Sequence, residues 1–329
     1  NEEEGISEVN TGKISEIEGE IDHKLKSIYS SLTHWQKTLV ARHEDRPKTK
    51  FFIDNMFTDF INLSGDRYFA DDQSVIAGFA IFEKKSVLVI GQEKGNDIHS
   101  RIKRNFGMMR PEGYRKCIRL MRLADKFNIP VVFFIDTPGA YPGIGAEERG
   151  QAQAIASSIE CCMSLGVPTI SFIIGEGGSG GAVALASSNK IIMFENSIYS
   201  IISPEGCASI LWRDPSKSLE AAEAMKLTAH DLLKQGIIDG VISEPAGGAH
   251  RHKDQILEDV KVSLKKNLNE FNSFTRNEVF DHRKIKFLNI GRERGFASPT
   301  QNKNRLGAKE NYFNRLKKFL LKFFSLIKL

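Results

Sequence analysis

The sequence predicts an α/β protein with a largely parallel sheet, and three observations carry that expectation. An apolar run that breaks into glycines and restarts as helix occurs twice, ending in turns at Gly139 and Gly180, about 40 residues apart. Val131-Val-Phe-Phe-Ile135 is apolar without alternation, as in a strand buried on both faces. Two further apolar runs, 190–194 and 237–242, follow with helical sequence between them. A repeated strand–loop–helix unit makes neighbouring strands parallel, and parallel pairing brings both glycine loops to one sheet edge.

In chain order, residues 1–12 are polar and acidic, a composition that suits disorder. From Ile14, apolar residues recur at Ile17, Ile21, Leu25, Ile28 and Leu32, spacings that describe one face of a long helix. Such an arm either packs on its own body or embraces a second subunit. Trp35 to His43 continues the helix, and Arg46-Pro47 ends it. Phe51 to Leu63 again has helical spacing, and Gly65 to Asp72 is a polar loop. Two strands follow, Ser74 to Phe82 and Val87 to Ile90, separated by the charged turn Glu83-Lys-Lys85. Beyond Lys94 a cationic cluster gathers Arg101, Lys103, Arg104, Arg110, Arg115 and Lys116. It is either a solvated face or an attractor for a phosphorylated ligand. Tyr114 to Phe127 is a helix stopped by Pro130, and Glu147 to Leu165 is another with two acids in its first turn. Pro168 to Ile174 is a short buried strand.

The glycine run that follows, from Gly175 to Gly181, leads into helix-competent Val183 to Ser187. Glycine is permissive at positive φ and lets other groups approach the main chain. At a helix start the result is bare N–H donors suited to a negatively charged oxygen. Several patterns overlap here. Gly175-Glu-Gly-Gly-Ser-Gly180 satisfies the dinucleotide fingerprint, with Glu195 as the acid after the next strand. Gly177-Gly-Ser-Gly-Gly181 satisfies the nucleophile elbow of a serine hydrolase, with Ser179 as nucleophile and Asp239 and His250 downstream. A turn needed only for tight helix packing is a third reading. A phosphate P-loop is weaker, because no Gly-Lys-Ser/Thr follows.

Composition bounds the class. A chain of 329 residues, 41% hydrophobic and 26% charged, suits a core domain with extensions. It shows neither an 18-residue apolar run nor a basic-then-apolar leader, and whether a segment precedes Asn1 stays open. Cys117, Cys161, Cys162 and Cys207 have no metal-ligand spacing and suit reduced core residues of a cytoplasmic protein. The net charge of +5 conceals a basic tail, since residues 301–329 hold eight Lys or Arg against Glu310.

A family resemblance rests on long motifs in order: Arg46-Pro47, Gly65-Asp-Arg67, Arg104-Asn-Phe-Gly-Met108, Pro111-Glu-Gly-Tyr-Arg-Lys116, Asp136-Thr-Pro-Gly-Ala-Tyr-Pro-Gly143, Gly145-Ala-Glu-Glu-Arg-Gly150, Gly175 to Ala182, Ile202 to Trp212 and Gly247-Gly-Ala-His-Arg251. Over roughly residues 14–265 the chain resembles the carboxyltransferase α subunits of bacterial acetyl-CoA carboxylase. The resemblance implies a crotonase/ClpP-like superhelix of β-β-α units (51–272), with an N-terminal helical arm (1–50) and a basic C-terminal tail (273–329). It implies transfer of a carboxyl group from carboxybiotin, presented by a biotin carboxyl carrier protein, to acetyl-CoA, giving malonyl-CoA, the committed step of fatty acid synthesis. Further implied partners are a β subunit in an α2β2 assembly, which carries the zinc, and biotin carboxylase; the α chain itself holds neither metal nor covalent cofactor, and no nucleic acid partner is expected.

The resemblance also assigns residues. The backbone N–H groups of Gly181 and Ala182, with Gly180 permitting approach, are expected to bind the biotin ureido oxygen. Gly139, Ala140, Tyr141, Pro142 and Gly143 are expected to wall the biotin pocket, followed by Ser203, Pro204, Glu205 and Gly206. Lys94, Arg101, Arg104 and Arg110 are candidates for CoA or subunit contact. Beyond about Asn272 the family pattern thins. In the tail Phe313, Leu316, Leu320, Phe323 and Ile327 share a helical face flanked by Arg and Lys, which suits an interfacial helix on anionic lipid, a helix docked on the partner, or a structureless tail.

Overall fold

The computed structural model of the chain describes residues 11–291, so residues 1–10 of the acidic N-terminus and the amphipathic stretch 306–329 of the tail lie outside the described residues. Of the described residues, 11–283 form one compact unit and 284–291 belong to a second. Eight strands make one sheet: β1 (Thr58–Asn62), β2 (Val75–Phe82), β3 (Lys85–Gln92), β4 (Val131–Thr137), β5 (Thr169–Gly178), β6 (Lys190–Phe194), β7 (Ile198–Ser200) and β8 (Gly240–Ile242). Their order is β1-β2-β3-β4-β5-β6-β8, with β7 paired to the Glu176–Gly178 end of β5. The first two pairings are antiparallel and the rest parallel, as the repeated strand–helix unit requires.

The helices are α1 (Thr11–Tyr29), α2 (His34–Ala41), α3 (Thr49–Met56), α4 (Ile98–Lys103), α5 (Pro111–Lys126), α6 (Ile144–Glu148), α7 (Gln151–Ser164), α8 (Ser179–Ala186), α9 (Pro204–Trp212), α10 (Ser218–Met225), α11 (Ala229–Lys234), α12 (Lys253–Glu270) and α13 (Arg276–Asn289). Three expectations change. The continuous N-terminal helix divides, because Thr33 accepts the Gln36 N–H while Gln36 accepts the Thr33 N–H, a capping box that starts α2 afresh. Helical spacing from Phe51 holds only to Met56; the next residues pair with β2 as an edge strand, a partner that periodicity cannot reveal. Glu147 to Leu165 is two helices, since Gly150 sits at φ +83° between them. The charged turn holds: Glu83 and Lys84, both at positive φ, form a two-residue hairpin between β2 and β3.

β4 and β5 are buried along their whole length. One face, with Val132, Phe134, Ile170 and Phe172, packs under α3 and α12. Phe52 stacks on Phe134 at 5.1 Å between ring centroids and meets Phe194 edge-on at 5.9 Å. On the other face α5 lies on β2 and β3, α8 on β4 and β5, and α7 against both helices. The segment after α2 is tied down by charge. Arg46 and Glu244 form a fully buried ion pair, and the Arg46 Nε donates to the Ile174 carbonyl at 2.6 Å. Next to it His43 stacks on His250 at 3.8 Å. Among the described residues no helix is long and apolar enough to cross a membrane.

Phe52→Ala is expected to cost about 3–5 kcal/mol of unfolding free energy in urea titrations, against about 1 kcal/mol for Thr33→Ala. Burial, then His43 and Arg46, pushes the His250 imidazole down to about 4 from its ordinary 6.5. The unfolded chain therefore takes up this proton first, and stability falls as pH drops from 6.5 towards 4. His250→Asn should flatten that stretch of the pH–stability curve.

Candidate active site

The two glycine loops meet at the C-terminal ends of β4 and β5. β5 does not stop at Ile174 as its apolar run suggests; it continues through the glycines to Gly178, and α8 starts at Ser179 without an intervening loop. None of the glycines from 175 to 181 has positive φ; Ser179 does, at +50°. The glycines serve closeness instead. A Cβ on Gly178 would overlap the Pro138 carbonyl, and one on Gly181 would lie 2.6 Å from the Gly139 carbonyl carbon and oxygen. The Thr137 hydroxyl fixes the facing loop, donating to the Gly139 carbonyl at 2.7 Å and accepting the Gly139 N–H at 3.2 Å.

The first turn of α8 has no side-chain cap, so its N–H groups keep their donor capacity and the helix adds partial positive charge. Buried Gln92, at the end of β3, holds this turn. Its amide donates to the Gly181 carbonyl at 2.7 Å and accepts the Asp136 N–H at 3.2 Å. Asp136 in turn accepts the Glu176 N–H at 2.9 Å.

Beneath the loops runs a charged chain. Arg42 pairs with Glu176 at 2.6 Å and with Glu205 at 2.5 Å, while Lys94 pairs with Glu176 at 2.6 Å and Asp136 at 2.8 Å. Burial would raise the Glu176 carboxyl, but Lys94 and then Arg42 outweigh it and hold it below the usual carboxylate range. Lys94 is likewise raised against its burial by Asp136 and Glu176. Each charge is compensated within the chain, which makes this a brace for the loops.

Beside α8 opens an apolar cavity of about 540 Å³, bordered by Ser179, Gly180, Val183, Ile201, Ile202 and Cys207. The structure thus brings Gly139, Gly180 and Gly181 together and keeps Ala182 buried behind them. Tyr141 N–H donates to the Met109 carbonyl, and the Arg110 guanidinium lies 4.6 Å over the Tyr141 ring. Ala140 is half-buried, Pro142 is exposed, and the missing side chain of Gly143 makes room for the Tyr141 ring. Ser203 caps α9 by accepting the Gly206 N–H at 3.1 Å, Pro204 is buried, and Glu205 turns to Arg42. Among the four cations, Lys94 is enclosed by carboxylates, Arg101 pairs with Glu44 at 3.1 Å, Arg104 donates to the Gln73 carbonyl, and Arg110 donates to Asn105. Reading the sequence alone overlooks Gln92, Thr137, Arg42 and Glu176. A glutamate inside a glycine run and an arginine ending an amphipathic helix are the signals that point to the last two.

The competing constellations do not assemble. Ser179 has the strained, exposed geometry of an elbow, but Asp239 accepts the Ile191 N–H at the opposite end of the sheet. In register Ile191 lies beside Ser171, so it is roughly 20 Å along the strands from Ser179. His250 stacks on His43 instead. Glu195, the candidate ribose ligand, accepts the Glu244 N–H at 3.0 Å.

A family model described as acetyl co-enzyme A carboxylase carboxyltransferase-like matches residues 1–291. The acetyl-coenzyme A carboxylase carboxyl transferase subunit alpha of Pelagibacter ubique is 67% identical over 312 residues, 95% of this chain and 85% of that one. The chain belongs to this carboxyltransferase α-subunit family. The Sphingopyxis alaskensis subunit alpha is 53% identical over 281 residues, 85% of this chain and 89% of that one. Among solved structures the transcarboxylase 12S core, with methylmalonyl-coenzyme A and methylmalonic acid bound, superposes with a TM-score of 0.55 at 18% identity, over 69% of this chain and 42% of that one. The fold is thus crotonase-like, as the resemblance implied, and the carboxyltransferase reading displaces the hydrolase and dinucleotide alternatives.

Gly181→Ala must push the Gly139 main chain away, whereas a Cβ on Gly180 meets only Ile155 at 3.5 Å. Thermal unfolding should therefore drop by several degrees for Gly181→Ala and stay near the parent for Gly180→Ala.

Proposed function

We propose that this chain holds carboxybiotin for transfer of its carboxyl group to acetyl-CoA, yielding malonyl-CoA, and that the first turn of α8 is its oxyanion-binding element. The observation that carries the reading is an uncapped helix start at the mouth of an apolar cavity, with a second glycine loop against it. Carboxybiotin supplies the carboxyl group, and its release leaves negative charge at the ureido oxygen. The chain answers with fixed N–H donors, which need no reorganisation when the charge appears and are worth several kcal/mol in a dry site.

Helix register ranks those donors. In a helix starting at Ser179 the N–H groups of Gly180 and Gly181 precede the first ladder acceptor, while that of Ala182 can return to the Gly178 carbonyl. Gly181 is therefore the principal donor, held in place by Gln92 at its carbonyl. The apolar walls at Val183, Ile201 and Ile202 suit the hydrocarbon part of biotin, and the Gly139 main chain stands against the adjoining Gly181. Ser203 and Gly206 support the far wall through the start of α9. Ser179 is a spacer at the strand-to-helix junction.

This half-site requires a β subunit, in an α2β2 assembly, to hold the thioester. A partner also suits α1, whose Ile14, Ile17, Ile21 and Ile28 are 44–54% exposed along one face. The carrier protein would deliver biotin from biotin carboxylase in the cytoplasm.

Purified alone, the chain should make no malonyl-CoA from carboxybiotin and acetyl-CoA; co-expression with a β subunit should restore turnover. In that complex Ser179→Ala should keep most activity and Gly181→Val should abolish it. Complete loss in a folded Ser179→Ala complex would count for a serine nucleophile instead.

A further inference from the structure

Four side chains with hydroxyl or amide groups stand on the wall of the apolar cavity beside α8: Ser179, Tyr199, Ser200 and Gln235. Ser200 donates to the Ile202 carbonyl at 2.8 Å, and Ser179 is exposed where β5 turns into α8. Register separates the other two. Tyr199 pairs with Gly177, so it lies on the strand beside the glycine end of β5, next to the start of α8. Gln235 follows α11 and belongs to no strand.

The Tyr199 main chain is fixed, since its N–H donates to the Leu227 carbonyl at 3.1 Å. Its ring lies where a side chain on Gly177 would be, for a Cβ there would come within 2.9 Å of the ring edge. Gly177 thus makes room for an aromatic ring, while Gly178 and Gly181 make room for main chain. The Tyr199 hydroxyl has no hydrogen-bond partner among the described residues. It is not sealed off, in contrast to the Tyr114 hydroxyl, which is both unpartnered and fully buried. Burial pushes the Tyr199 phenol up to about 12 from its ordinary 10, so at neutral pH it is uncharged, a group that donates one hydrogen bond and accepts others.

Carboxybiotin carries a polar group that the amides of α8 cannot serve. One ureido nitrogen bears the carboxyl group and the other keeps its hydrogen, whereas a helix start offers donors only. Set against apolar walls without an acceptor, that N–H would weaken binding. We propose, resting on the biotin reading of this cavity, that the Tyr199 hydroxyl oxygen accepts the free ureido N–H and so sets the orientation of the biotin ring. The ureido oxygen goes to the Gly181 N–H and the ring N–H to Tyr199. Two contacts of opposite polarity on one small ring leave it a single way to sit.

The test uses the complex with a β subunit, run in reverse, so that malonyl-CoA gives its carboxyl group to biocytin and leaves acetyl-CoA and carboxybiocytin. Tyr199→Phe keeps the ring beside Gly177 and removes only the hydroxyl. It should raise the KM for biocytin about tenfold and leave the KM for malonyl-CoA within about twofold, with circular dichroism unchanged. A ring that only fills space would not give that split, because phenylalanine fills the same space. On the ligand side, a biocytin analogue with a ring oxygen in place of the N–H remote from the carboxylated nitrogen should inhibit the parent complex about tenfold more weakly than biotin does, and Tyr199→Phe should erase the difference. An unchanged biocytin KM in a folded Tyr199→Phe complex, an equal rise in both KM values, or an analogue that matches biotin on the parent complex overturns the proposal. Gly181→Val run alongside keeps the two readings apart. If it is inactive while Tyr199→Phe is unchanged, Tyr199 leaves the site and the oxyanion reading stands; if it is fully active, the biotin reading falls and the Tyr199 contact with it.

Discussion

The structure turns on main chain touching main chain at the ends of two parallel strands. Gly178 and Gly181 sit against Pro138 and Gly139 so closely that a single methyl group at either position would collide with backbone. Backbone cannot retreat as a side-chain tip can, so glycine is obligatory there for steric reasons alone. The same closeness sets the first turn of α8 beside the Gly139 loop.

Such an arrangement needs support, because loops at strand ends are held by little apolar packing of their own. The support is polar and crosses the sheet edge. Gln92 reaches from β3 to β4 and to α8, Thr137 folds its own loop, and Arg42 brings α2 to both β5 and α9. Breaking one member would leave a buried charge or amide without its partner, which costs more than the bond contributes when made. Glu205 illustrates the economy of the design, since it belongs to the first turn of α9 and anchors that helix to Arg42 while its neighbour Ser203 caps it.

The same braces divide the surroundings of the loops into two environments. On one flank the walls are largely apolar. On the other, cationic side chains gather, most of them neutralised by the carboxylates that also steady the loops.

Much of this was legible in the chain. Continuous apolar runs announced β4 and β5, repetition announced parallel order, and the glycines announced where another group comes close to the main chain; the long motifs Asp136–Gly143 and Gly175–Ala182 carried the family. Sequence periodicity determined these because burial on both faces and helix formation are local demands on residue type. Only the tertiary structure decided that the glycines extend β5 and do not form a turn, that Thr58–Asn62 is an edge strand, and that Lys94 is enclosed by carboxylates while Lys48 is not. Each of those depends on a partner far away in sequence, β7 and Pro138 for the glycines, β2 for the edge strand, Asp136 and Glu176 for Lys94, and contacts across such separations leave no periodic trace in the chain.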